Sequence, residues 1–125
     1  MGKTAEDIIM ASAFGTINRI LRHIERRLDC ATFDEDAFTA EAFDITHNRF
    51  ARYLSMLLDA GYVSGMRILD NGEPTEFDGD ARAYRRYDII TDSPSITIRG
   101  IQFLAENTVV ARVYGAVKSI RDLAP

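Results

Sequence analysis

Residues 95–107 read SITIRGIQFLAEN. Ile96 and Ile98 flank Thr97 with the alternation of a strand end. Thr97 then opens a polar turn that includes Gly100, and Ile101, Phe103 and Leu104 begin an apolar helical face. A short strand therefore feeds directly into a helix, late in a chain of 125 residues.

Working back from that junction, Asp92-Ser93-Pro94 reads as a break, because proline disfavours helix in the residue before it. Arg85 to Ile90 reads as a strand, and so does Tyr62 to Leu69. Asp70-Asn71-Gly72 with Pro74 reads as a turn, and residues 71–83 make a polar loop that is long for a tight hairpin. Thr46 is an N-cap for a helix whose inward side carries Phe50, Tyr53, Leu54, Leu57 and Leu58, with Gly61 as its C-terminal stop. Asp34 caps a second helix containing Ala37, Phe38, Ala40, Ala42 and Phe43. Phe14, Ile17, Ile20, Leu21, Ile24 and Leu28 recur at helical spacing and define a first helix over Phe14–Leu28.

Working forward, Val109, Val110, Val113, Val117 and Ile120 form one stripe of a C-terminal helix. The order is helix, helix, helix, strand, long loop, strand, short strand, helix. That is an α+β winged helix-turn-helix, with three N-terminal helices, a β-wing and added C-terminal helices. Residues 1–13 are a lead-in or arm, residues 14–108 the winged-helix domain with a long acidic wing insert at 70–90, and residues 109–125 a terminal helix.

At 125 residues the chain is one domain that can bury a core without a metal or a disulfide. Its single cysteine, Cys30, excludes an intrachain disulfide and a multi-cysteine zinc site. No apolar run approaches the roughly 20 residues of a membrane span, and the N-terminus lacks the apolar core of a signal peptide. A cytoplasmic location is the expectation. The net charge of −4 argues against nucleic-acid binding through bulk charge. The distribution is uneven, however. Residues 31–45 hold Asp34, Glu35, Asp36, Glu41 and Asp44 without a base, whereas residues 46–69 hold Arg49, Arg52 and Arg67 against Asp59 alone.

The chain resembles the YjcQ-like family of small winged-helix proteins of bacteria, phages and prophages. The resemblance rests on Ile96-Thr97-Ile98-Arg99-Gly100-Ile101-Gln102-Phe103-Leu104-Ala105-Glu106-Asn107-Thr108 and on Gly61-Tyr62-Val63-Ser64-Gly65 after the third helix. It covers residues 14–123. It implies the winged-helix fold and a phage-linked setting, and no reaction. Residues 70–90 depart from it, being longer and more acidic than a family wing.

Five sets of residues are candidate sites. The outer face of the third helix offers His47, Asn48, Arg49, Arg52, Ser55 and Met56 to the major groove of double-stranded DNA, where arginine pairs with guanine and asparagine with adenine. The wing offers Arg82, Arg85 and Arg86, with Tyr84 and Tyr87, to a phosphate backbone; internal ion pairing is the simpler account of the same residues. The acids Asp70, Glu73, Glu76, Asp78 and Asp80 would instead face a protein partner, as a mimic of nucleic acid. Val113, Tyr114, Val117 and Ile120 would form a homodimer interface through the C-terminal helix, packing onto the chain's own core being equally compatible. Arg19, Arg22 and Arg26 share one face of the first helix, with Glu25 and Asp29 as local partners.

No catalytic set emerges. His23 and His47 are isolated, the glycines form no phosphate loop, and no cofactor is implied. The expectation is a non-enzymatic DNA-binding regulator. The alternative is a protein-interaction module, such as a phage-encoded inhibitor of a host defence enzyme.

Overall fold

The computed structural model describes residues 5–30, 32–74 and 84–107. Helix α1 spans Ala5–Glu25 and tightens into a 3₁₀ turn at Arg26–Leu28. A second 3₁₀ turn covers Glu41–Phe43, and helix α2 spans His47–Asp59. Strands β1, Val63–Asp70, and β2, Tyr87–Ile96, form an antiparallel two-stranded sheet. Residues 98–107 are helical and are called α3. The arrangement is α+β, with three helices and a hairpin, compatible with a winged-helix-like layout.

The core is built from the expected helical stripes. Ile20, Leu21 and Ile24 of α1 are fully buried against Phe50, Leu54 and Leu57 of α2 and against Phe38 and Phe43 between them. The inward stripe of α1 is shorter than its spacing suggests, because Phe14 and Leu28 at its two ends are exposed. Thr46 caps α2 through Oγ1, which accepts the Arg49 N–H at 3.2 Å. Gly61 follows α2 at a φ of +76°, the left-handed stop that glycine permits.

Residues 34–43 do not form the expected second helix. Asp34 Oδ1 accepts the Ala37 N–H at 3.3 Å and Thr39 Oγ1 accepts the Ala42 N–H at 3.2 Å. The Asp34 bond is the expected cap, but no α-helix follows it: the Phe38 N–H turns back to Glu35, Thr39 takes the Ala42 N–H and the Ile45 N–H returns to Ala40, so the segment is a succession of turns. Asp44 then adopts a left-handed φ of 59°. Aromatic packing fills the place of a helix: Phe38 contacts Phe33, Phe43 and Phe50, and His23 stacks on Phe38 with ring centroids 5.5 Å apart. Two helices, not three, precede the sheet among the described residues.

The hairpin also differs from expectation. Asp92-Ser93-Pro94 is no break, because β2 runs through it, and Ile98 belongs to α3 instead of a third strand. The register explains how the strand tolerates Pro94. Ser64 pairs with Ser95 and Met66 with Thr91, so Gly65 alone faces Asp92, Ser93 and Pro94. The irregularity absorbs a residue that has no N–H to give the ladder. Pro94 is buried there, and its carbonyl accepts from Arg27 Nη1 at 3.1 Å.

At the end of β2, Thr97 fastens α3 to the end of α2. Its N–H donates to the Tyr62 carbonyl at 3.0 Å, and its hydroxyl donates to the Gly61 carbonyl at 2.5 Å. The same oxygen accepts the Gly100 N–H at 3.2 Å. Gly100 must be glycine, since a Cβ there would collide with the Tyr62 carbonyl and the Ile96 side chain.

Candidate functional site

The first turn of α2 is attached to the hairpin. Asn48 Nδ2 donates to the Tyr84 carbonyl at 2.6 Å, and its Oδ1 accepts the Arg86 N–H at 3.0 Å. His47 Nε2 lies 2.7 Å from the Tyr87 carbonyl, which requires the ring proton on Nε2. The two side chains thus serve backbone groups of residues 84–87 as a neighbouring strand would.

Arg86 closes the same region from the other side. Its Nε and Nη2 grip Asp70 at 2.9 and 3.2 Å, and Nη1 meets Glu73 Oε1 at 2.5 Å. Its guanidinium carbon lies 5.5 Å from the centre of the Tyr87 ring. The Arg86 hydrogen bond, helped by the Gly72 N–H, holds the Asp70 carboxyl below its ordinary pKa, and the same bond raises that of Arg86. Arg86, assigned from sequence to nucleic acid, and Asp70 and Glu73, assigned to a partner, are therefore paired with one another. Arg85 lies 3.9 Å from Glu41, with both side chains exposed.

Between α1, α2 and the hairpin lies an open cleft of about 740 Å³. Ala13 and Thr16 of α1 form one wall, Arg49, Arg52, Tyr53 and Met56 of α2 another, and Arg86 with Tyr87 a third. Arg49 and Arg52 are exposed, and among the described residues neither guanidinium has a hydrogen bond or ion pair. Ser55 is half-buried and does not line the cleft. Glu41 and Asp44 share a neighbouring depression with Arg49, so the start of α2 has acids beside its first arginine.

Of the helix-one arginines, Arg19 is occupied structurally: Nη2 donates to the Ala42 carbonyl at 3.3 Å and the guanidinium lies over Phe43. Arg22 and Arg26 are exposed. Arg82, Glu76, Asp78, Asp80, Val113, Tyr114, Val117 and Ile120 lie outside the described residues. Among the described residues no trio of His, Cys, Asp or Glu is placed to hold a metal ion, and no helix is long and apolar enough to cross a membrane.

Sequence reading placed Tyr53 on the inward side of its helix and did not join it to the arginines. Its spacing of four from Arg49 puts the two on neighbouring turns of one face, which is a legible signal. Ala13 and Thr16 carry no such signal, since only the packing of α1 beside α2 brings them to the cleft.

No curated protein and no solved structure matches the chain. The family model described as YjcQ protein matches residues 18–123, which takes in the C-terminal part of α1 and all of α2 and the hairpin. By that match the chain belongs to the YjcQ family.

Proposed function

We propose that this protein binds DNA as a winged-helix-type regulator, with the Arg49–Arg52 face of α2 as its contact surface. One observation carries the reading: these two arginines, three residues apart on α2, are exposed and unpaired among the described residues, while Arg86 nearby is held by two carboxylates. Unpaired guanidinium groups on a helix face suit phosphate oxygens, which they bind through charge-assisted hydrogen bonds. His47 and Asn48 act as wing anchors in this reading, and phosphate contacts come before base reading.

The test is duplex DNA binding by fluorescence anisotropy across a salt series. Wild type is expected to bind at low salt and to weaken as salt rises. Replacing both arginines by alanine should weaken binding at least about tenfold and make the log–log salt slope shallower by about 2. No binding at low salt rejects the reading.

A second reading is favoured by the exposed acids Asp34, Glu35, Asp36, Glu41 and Asp44 on the segment before α2. They suit a basic protein surface, such as that of a host enzyme inhibited by this chain. Co-purification of a protein from lysate that survives nuclease treatment and the two arginine changes would favour it over DNA.

A further inference from the structure

We infer that the cleft between α1, α2 and the wing receives an unstacked nucleobase, so that DNA containing unpaired nucleotides is the preferred ligand. The inference rests on the DNA-binding reading and specifies the strand state at the same site.

The ordinary mode of base reading is obstructed here. The first-turn side chains that would meet base edges in a major groove, His47 and Asn48, are committed to the carbonyls of Tyr87 and Tyr84. A duplex can still offer phosphates to Arg49 and Arg52, but its stacked bases leave the cleft unfilled.

The cleft itself suits a base. Its volume of about 740 Å³ falls in the range of sites that hold small organic ligands, about 300–1,000 Å³. Tyr53, Met56 and Ile45 give it an apolar interior, and Tyr87 already carries the Arg86 guanidinium near its ring. Met56 is 57% exposed, an apolar side chain that a stacked base would cover. Arg49 and Arg52 stand in the wall, placed for the phosphates on either side of a base that enters. Aromatic side chains beside a basic track are the means by which proteins hold single-stranded nucleic acid without reading its sequence.

Three forms of one oligonucleotide test this: a fully paired duplex, the same duplex with a central mismatched bubble, and the single strand. Wild type should bind the bubble and the single strand at least about fivefold more tightly than the duplex, the range that one stacked base supplies. Tyr53→Leu should remove that preference and keep the salt-dependent duplex binding. Because Tyr53 also packs against the core, Ala13→Leu serves as a second variant: it narrows the cleft from the α1 wall and should likewise reduce the preference for unpaired DNA. Equal wild-type binding of all three forms, still dependent on Arg49 and Arg52, would overturn the cleft and leave DNA binding standing. A bubble preference untouched by either variant would also overturn it. Binding of none of the three rejects both readings.

Discussion

Thr97 uses every polar group it has. The backbone N–H and the hydroxyl reach back to the carbonyls of Tyr62 and Gly61, while the hydroxyl oxygen and the backbone carbonyl receive the N–H groups of Gly100 and Ile101. Thr97→Val keeps the branched shape and removes both side-chain bonds, leaving a half-buried carbonyl and the Gly100 N–H without a protein partner. The expected loss is about 1–3 kcal/mol in urea unfolding with an unchanged m-value, and Thr97→Ser should recover most of it. This junction was legible because a threonine three residues before a glycine states its own local geometry. His47 and Asn48 were not legible in that way. Their partners lie 40 and 36 residues away, and nothing in a helix-start sequence distinguishes a side chain aimed at solvent from one aimed at a distant strand.

The same division holds for the elements. Helix α2 announces itself by apolar period, by its Thr46 cap and by its Gly61 stop, whereas the period of α1 shows only from Phe14 onward and the helix begins earlier, at Ala5, inside the segment read as a lead-in. The segment 34–43 carries an Asp34 cap and apolar residues at helical spacing yet forms turns, with Thr39 taking the Ala42 N–H and tighter three-residue backbone bonds standing in place of an α-helical ladder. Strand β2 defeated a local rule for another reason: whether proline breaks a strand depends on what faces it, and register across two strands is invisible in one. That register makes Gly65 decisive. It has a φ of +78°, and a Cβ there would run into the Ser93 carbonyl. Gly65→Ala should therefore cost at least about 2 kcal/mol, combining left-handed strain with a backbone clash. Thermal melting measures the loss, and faster amide exchange in β2 than in α2 would localise it to the hairpin.

For the molecule as a whole, an acidic sum conceals a division of labour among charges. Arg86 pairs with Asp70 and Glu73 in the hairpin, while among the described residues Arg49 and Arg52 of α2 make no hydrogen bond or ion pair, Arg52 adding only a longer-range attraction to Asp70. The division has a pH signature. Asp70 titrates below its ordinary value of 3.8 when folded, so the folded state binds its proton less readily than the unfolded chain does. Its stabilisation is fully present above that ordinary value and disappears as pH falls through the lower folded value. Urea unfolding from pH 6 to pH 2 should show this acid loss in wild type. Asp70→Asn should be less stable at pH 6 and lack that component of the acid loss; parallel profiles for the two proteins would refute the pairing. The Thr97 clasp has a consequence at this scale as well. By bonding to Gly61, 36 residues earlier, it makes the whole hairpin a closed ring whose neck is fixed independently of its circumference. Ring closure grows costlier only with the logarithm of length, by about 0.6 kcal/mol per doubling. The far end of the hairpin is thus the place where this chain can gain or lose residues while the rest of the architecture stays as it is.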